Sequence, residues 1–193
     1  INSTFDIGGK PSIKGKYVGG LVGYLENSLI KNNDTILYVE AEQEESYIGT
    51  LVGYAKNTVI SNVISGQTNA NYLLTAKSDF SNTYAGIIAG YLEDCEVSVI
   101  KNISGTAVTV NRDNSFAGAV AGAMQGGSIK GVSIKTPVNS YGNGSYIGGV
   151  VGRNTSGTIS DAIVFSDVLS EGTGTYAGGI AGANSGGTIS GTL

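Results

Sequence analysis

Apolar residues and glycines recur along the chain in one short phrase that occurs six times. Each copy opens with an aromatic residue, has a glycine two and six residues later, and carries a branched apolar residue between the two glycines. Another apolar residue follows thirteen residues after the aromatic in every copy. The copies begin at Tyr17, Tyr47, Tyr84, Phe116, Tyr146 and Tyr176. Agreement at so many positions identifies a repeat protein, in which each repeat is one structural unit.

The repeat length is close to 30 residues. The steps between successive aromatics are 30, 37, 32, 30 and 30 residues, which indicates a constant unit with connections of variable length. Polar stretches place the excess residues after Leu37 and after Gln67, and the third repeat is expected to carry extra residues around Cys95.

The repeat unit favours short β-strands over helices. Glycine inside a helix costs roughly 1 kcal/mol relative to alanine, and no apolar spacing typical of a helix is sustained over a helix length. We predict three strands in each unit, illustrated in the fifth repeat by residues 146–151, 158–160 and 162–165.

Turn residues separate the first two predicted strands of every repeat. They are Asn27, Asn57, Asp94, Gly126, Ser156 and Gly186, which are mostly types that tolerate a positive φ or bond their own backbone. We predict further tight connections at residues 142–144 and 172–174, just before an aromatic. At Gly142 we expect only conformational freedom to matter.

Short strands in six similar units predict an all-β fold, a parallel β-solenoid of about six coils with roughly 30 residues and three short strands per coil. Coils of this kind stack about 4.8 Å apart, so equivalent residues form columns along the rod. We expect residues 1–193 to form a single solenoid module, with residues 1–16 as an N-terminal cap or partial coil. Because the chain begins without Met and stops in mid-repeat, we interpret it as a segment of a longer protein.

The repeat resembles the GLUG motif, a short repeat named from bacterial immunoglobulin A peptidases. The match is carried by the runs at residues 19–23 and 148–152 and by the Thr-Ile-Ser runs at 158–160 and 188–190. It covers nearly the whole chain from Tyr17 to Ser190, although Thr50 and Ile87 replace the second glycine of the run in two repeats. The resemblance implies a right-handed β-helix in a large bacterial surface or secreted protein, such as a peptidase or a presumed adhesin. It therefore implies an extracellular or cell-surface location.

Composition and charge exclude several functions. Charged residues make up 13% of the chain and the net charge is −4, so a phosphate-binding surface for nucleic acid is not expected. One cysteine rules out an internal disulfide. No apolar stretch approaches the length that spans a membrane, so we expect no membrane insertion.

The residues offer little for catalysis. Histidine is absent, which removes the serine triad and the His-Glu-x-x-His zinc motif. Cys95 has no histidine partner. Acidic residues could hold Ca²⁺ if two groups from different coils met, although a solvated acidic loop is the simpler interpretation. These groups are Glu40, Glu42, Glu44 and Glu45, and Glu93, Asp94 and Glu96. We therefore expect no catalytic site, no metal site and no cofactor.

One surface feature suggests binding. Tyr24, Tyr54 and Tyr91 each follow the second glycine of the phrase, whereas Ala123, Arg153 and Ala183 occupy this position in later repeats. The three tyrosines predict a second, shorter aromatic column, either a ligand-contact surface for sugar or peptide or a stack that only adds stability. The sequence leaves open whether the rings point inward or outward.

The function that we predict is a non-catalytic structural or adhesive β-helical segment of a bacterial cell-surface or secreted protein. Its expected partners are a host glycan or protein and the flanking domains of its own chain. One alternative is an accessory module of an immunoglobulin A-type metallopeptidase whose catalytic site lies elsewhere. A β-helix enzyme acting on polysaccharides is a further alternative, disfavoured because no column of acidic residues runs through the repeats.

Overall fold

A computed structural model describes residues 3–5, 15–31, 33–35, 38–41, 43–65, 75–103 and 107–193. These residues form short parallel strands that stack as a β-solenoid of about five turns, and none of them is helical. The fold class predicted from the repeat is confirmed. Each predicted repeat start coincides with the first residue of a strand. Within the described part of the chain, no helix is long and apolar enough to cross a membrane.

Two sheets are built from the recurring phrase. The first, which we call the aromatic sheet, comprises Tyr17–Gly19, Tyr47–Gly49, Tyr84–Gly86, Phe116–Gly118, Tyr146–Gly148 and Tyr176–Gly178. The second sheet comprises Val22–Glu26, Val52–Lys56, Ala89–Glu93, Ala121–Gln125, Val151–Thr155 and Ala181–Ser185.

Two further sheets complete each coil. The third sheet comprises Ser3–Phe5, Leu29–Lys31, Asn33–Thr35, Val59–Ser61, Ile64–Ser65, Glu96–Ile103, Ser128–Ile134, Thr158–Val164 and Thr188–Ser190. The fourth comprises Tyr38–Ala41, Thr75–Ser78, Ala107–Val110, Val138–Ser140 and Val168–Ser170. Ser3–Phe5 pairs in parallel with Asn33–Thr35, so the N-terminal segment supplies one strand of a partial coil. Residues 6–14 lie outside the described part.

Strand pairing follows the sequence repeat residue by residue. Tyr17 pairs with Tyr47, Tyr47 with Tyr84, and the same register continues to Tyr176. Equivalent side chains therefore lie above one another in columns, as the repeat predicts.

The core is made of inward-facing apolar columns. The column that begins at Ile30 continues through Ile60, Val97, Ile129 and Ile159, each at most 5% exposed, and ends at the partly buried Ile189. Burial of each such side chain contributes about 1.5–3 kcal/mol, and a neighbouring coil is needed to supply it. The stacked repeats thus stabilise one another.

Left-handed backbone conformations also recur in columns. Every predicted turn residue between the first two strands has a positive φ, from 47° at Asn57 to 69° at Gly186. A second column of positive φ lies within the third sheet, at Asn62, Val99, Gly131, Asp161 and Gly191. Asn, Asp and Gly tolerate this region, whereas a β-branched residue such as Val99 does so only at a cost.

The prediction of three strands per coil is wrong in both the number and the bounds of the strands. The phrase at residues 146–151 forms two strands, Tyr146–Gly148 and Val151–Thr155, separated by a bend. A Cβ atom at Gly148 would lie 2.7 Å from the carbonyl oxygen of Ile180, so this tight corner requires glycine. Residues 158–160 and 162–165 were predicted as separate strands. The structure instead has one strand, Thr158–Val164, that contains the left-handed Asp161. Val168–Ser170 is an additional strand that the pattern did not reveal.

Two expected positions of extra residues are also corrected. Tyr38 pairs with Thr75, and each lies nine residues before the next aromatic strand. Because these two stretches have the same length, the first repeat has no extra residues after Leu37. Glu96 pairs in register with both Val59 and Ser128, so the third coil carries no insertion around Cys95. The excess of the second repeat lies between Ser65 and Thr75, which includes the stretch predicted after Gln67, but residues 66–74 are outside the described part.

The expectation for Gly142 is wrong as well. Gly142 is buried, and a Cβ atom there would lie 2.6 Å from the backbone nitrogen of Asp113. Stacking of one turn directly on the turn below leaves no room for a side chain. Steric exclusion, and not only conformational freedom, therefore demands glycine at this position.

Candidate ligand-contact surface

The aromatic residues of the repeat point outward. In the strand Tyr17–Gly19, Tyr17 is 39% exposed and Val18 is fully buried, because successive side chains of a strand alternate between its two faces. The other rings of this column, at Tyr47, Tyr84, Phe116, Tyr146 and Tyr176, are also partly or largely exposed.

The outward rings form a continuous stack along the rod, which we call the long aromatic column. Neighbouring ring centroids are 4.5–5.3 Å apart, and the planes of successive rings lie within 16° of each other. Each ring thus covers a face of the next, and the rings present mainly their edges to solvent.

Tyr24, Tyr54 and Tyr91 form the second column that the sequence predicted, which we call the tyrosine strip. Their centroids are 5.4 and 5.1 Å apart with nearly parallel planes. Tyr24 is 46% exposed, and the other two rings are half-buried. The strip lies on the second sheet and is outward-facing.

The two columns contact each other edge to face. Tyr47, for example, lies 5.3 Å from Tyr54 and 5.9 Å from Tyr91, with the planes almost perpendicular. Such pairs contribute about 0.5–1.5 kcal/mol beyond their buried area. The rings therefore stabilise the coils and at the same time form an aromatic surface. Burial raises the pKa of Tyr47 to about 12, which keeps its hydroxyl group neutral.

A polar column runs beside the tyrosine strip and receives its hydroxyl groups. Tyr24 donates to Glu26 at 3.3 Å, Tyr91 donates to the amide oxygen of Gln125 at 3.1 Å, and Tyr54 donates to Glu93. These contacts fix the ring orientations.

The Glu93 carboxylate is also held by an ion pair with Lys56 at 2.9 Å. The hydrogen bond from Tyr54 and the bond to Lys56 lower the pKa of Glu93, and burial together with Glu93 raises the pKa of Tyr54. The middle of the polar column is thus a connected network whose charges are paired.

The tyrosine strip stops at the fourth coil. Ala123 lies directly below Tyr91 in the pairing register, and Arg153 lies below Ala123. The guanidinium carbon of Arg153 is 5.7 Å from the ring centroid of Phe116, so this side chain reaches back by one coil. Arg153 thereby places a planar cation against the long aromatic column. It does so at the coil of Ala123, where the tyrosine strip has no ring.

The other predicted groups are not brought together. Glu40 pairs with Lys77 at 3.5 Å on the fourth sheet, whereas Glu93 belongs to the second sheet. In the described ranges, no three His, Cys, Asp or Glu side chains are grouped so that they could hold a metal ion, and Glu42 lies outside those ranges.

Cys95 is buried, and its thiol donates to the carbonyl oxygen of Glu93 at 3.3 Å. Burial raises the pKa of the Cys95 thiol, which disfavours the nucleophilic thiolate.

Arg153 and Gln125 are the surface residues that the sequence did not single out as contacts. The repeat placed Arg153 in the same column as the tyrosines, but a column position does not show how far a long side chain reaches. Gln125, like Glu93 and Lys56, lies nine residues after the aromatic that opens its repeat. This shared spacing could have placed Gln125 in the polar column from the sequence.

The fold and this surface define a β-solenoid with a double outward aromatic column. Comparisons with protein-family models, with curated proteins and with solved structures found no match. The resemblance to the GLUG motif therefore stays a prediction.

Proposed function

We propose that this chain is a non-catalytic structural and adhesive segment of a bacterial cell-surface or secreted protein, and that it contacts a host glycan or protein through its double aromatic column. The observation that carries the proposal is the outward, preorganised array of stacked rings. A contiguous exposed aromatic surface is typical of an interaction site. The scaffold supports it because stacked coils hold every ring in a fixed register.

Rigidity favours binding at this surface. The rings are already ordered by stacking and by hydroxyl contacts, so a partner would not have to immobilise them. Because ring faces are covered within each column, except at its ends, a partner would meet mainly ring edges, hydroxyl groups and the polar column of Glu26, Lys56 and Glu93. Contacts of this kind give modest affinity for one copy, and adhesion would gain strength from many copies on one surface.

The test is a glycan and extracellular-protein array probed with three forms of the chain. We expect the wild type to bind at least one component and Tyr91→Ala to lose that binding. Tyr141→Ala is the matched control because Tyr141 is an exposed tyrosine that belongs to neither aromatic column. Capture of nothing by the wild type, or equal loss with both variants, would contradict the proposal.

A further inference from the structure

The geometry points to a subsite for one ring of a carboxylate-bearing sugar in the gap that ends the tyrosine strip, an inference that rests on the adhesive function proposed above. We call this place the Ala123 gap. It lies between Tyr91 and Arg153, with Ala123 as its floor and Phe116 as its side wall.

One wall of the gap is an aromatic face. Tyr91 is stacked on Tyr54 through one face, at 5.1 Å and 6° between planes. Its other face is directed towards the coil of Ala123, where a methyl group takes the place of a ring. The backbones at Tyr91 and Arg153 are two coil steps apart, about 10 Å along the rod. A flat ring fits between these two positions once the guanidinium group has left Phe116.

The opposite wall is a cation without an acidic partner. Among the described residues, no carboxylate lies within 4 Å of the Arg153 guanidinium group. Its polar contact is a hydrogen bond from Nε to the Thr155 hydroxyl at 3.4 Å, which is long. The planar fork of a guanidinium group matches a carboxylate through two parallel hydrogen bonds.

In the unliganded chain the Arg153 side chain closes the gap. Ala123 is only 3% exposed although it occupies the outward tyrosine column, because Arg153 reaches back one coil to lie over Phe116. Arg153 itself is exposed, and it is held by the long hydrogen bond to Thr155 and by the Phe116 ring. A ligand would displace the guanidinium group from Phe116 and pair with it at the mouth of the gap.

Two neighbouring side chains suit a sugar. The amide oxygen of Gln125 accepts from Tyr91 at 3.1 Å, which leaves the amide hydrogens of Gln125 to donate to a sugar hydroxyl. The nearby Glu93 is paired with Lys56 at 2.9 Å, so its repulsion of an anionic ligand is reduced. A sugar ring also offers a flat C–H face to Tyr91, which an acidic peptide side chain lacks.

The test measures binding of the intact chain to immobilised polygalacturonate, neutral dextran and poly-glutamate. We expect binding to polygalacturonate at least about tenfold tighter than to the other two polymers, because only polygalacturonate combines a ring with a carboxylate. Arg153→Gln should reduce that binding by about tenfold or more. Comparable affinity for dextran or for poly-glutamate would overturn the inference.

A pair of matched variants separates the gap from general surface effects. Ala123→Tyr would extend the tyrosine strip into the gap, so it should abolish polygalacturonate binding while the melting temperature is maintained. Ala183→Tyr adds the same ring at the same column position two coils further on and should bind like the wild type. If Ala123→Tyr binds as well as the wild type, the gap is not the subsite.

The two proposals fail in distinguishable ways. If the array identifies a partner that depends on Tyr91 but tolerates Ala123→Tyr, the adhesive function stands and the acidic-sugar subsite falls. If the wild type binds no polymer and no array component, both fall.

Discussion

At the residue scale, backbone conformation explains which side chains the turns accept. The column of left-handed residues in the third sheet contains Asn62, Gly131 and Asp161, which suit a positive φ, and also Val99 at 53°. Val99 is 44% exposed, so little packing offsets its strain. The repeat did not expose this conflict, because the position varies in residue type from coil to coil.

Replacement of Val99 by Asn should stabilise the protein. Relief of a left-handed β-branched residue is worth on the order of 1 kcal/mol, a gain of about 2–4 °C in melting temperature for a chain of this size. The matched control is Val59→Asn, which changes a similarly exposed valine within the strand Val59–Ser61. Asn is disfavoured in strands, so the control should not gain stability. Thermal unfolding of both variants checks the prediction, and a loss of equal size in both would contradict it.

The network around Glu93 makes the stability of the folded chain depend on pH in the acidic range. Hydrogen bonds from Tyr54 and Lys56 lower the pKa of the Glu93 carboxyl group below its ordinary value of 4.5. A lowered folded-state pKa means that the unfolded chain binds the proton more readily. The stabilisation is therefore present above pH 4.5 and is lost as the pH falls through the lowered value.

Glu93→Gln should flatten this acid dependence. Between about pH 5 and pH 3, the wild type should lose more stability than Glu93→Gln, as measured by urea unfolding at each pH. Tyr54→Phe, which removes the leading hydrogen bond, should lie between the two. Parallel curves for wild type and Glu93→Gln would show that the network does not contribute to stability.

At the element scale, the bend inside the recurring phrase determines how the two outward columns meet. The chain turns after the first glycine, so the aromatic sheet and the second sheet are adjacent and their rings touch edge to face. At the second glycine the backbones themselves are in contact, since a Cβ atom at Gly53 would lie 2.7 Å from the nitrogen of Val18. The glycines therefore permit the close packing that the aromatic surface requires.

Gly148→Ala should be much more destabilising than Gly131→Ala. A Cβ atom at Gly148 would lie 2.7 Å from the Cα of Ala181, and this backbone cannot move without disturbing the next coil. At Gly131, the nearest atom is 4.0 Å away and only the positive φ is strained. We expect losses of about 3 kcal/mol or more and about 1–2 kcal/mol respectively, from denaturant unfolding. Equal losses would contradict the steric role of the corner.

Sequence periodicity predicted the elements better than their boundaries. The recurring apolar positions identified the buried column from Ile30 to Ile189, because burial constrains residue type in every coil. The bend between Gly148 and Val151 was missed, because the branched residues Ile147, Val150 and Val151 also suit a continuous strand. The additional strand Val168–Ser170 was missed because connections of variable length precede it, so its offset from the preceding aromatic changes between coils. Its Val or Ala recurs at a constant eight residues before the next aromatic.

At the scale of the whole molecule, the pairing register between coils brings residues that are distant in sequence together on common surfaces. The tyrosine strip, the polar column and the Ala123 gap exist only because residues about 30 positions apart lie above one another. The sequence predicted the members of the strip, since stacking aligns equivalent positions. It did not predict that the strip faces outward or that Arg153 reaches back to Phe116, because these depend on the corner geometry and on side-chain conformation.

The most direct test of this account is a set of spin-label distances along one outward column. The column contains Leu29, Val59, Glu96, Ser128, Thr158 and Thr188, which pair in register from coil to coil. In a Cys95→Ser background, one label at position 29 is combined with a second label at 128, 158 or 188, and double electron–electron resonance measures each separation. Stacked coils predict backbone separations of about 14, 19 and 24 Å, a rise of about 4.8 Å per coil. Distances that do not increase in this order would contradict the registered solenoid and, with it, the proposed surface.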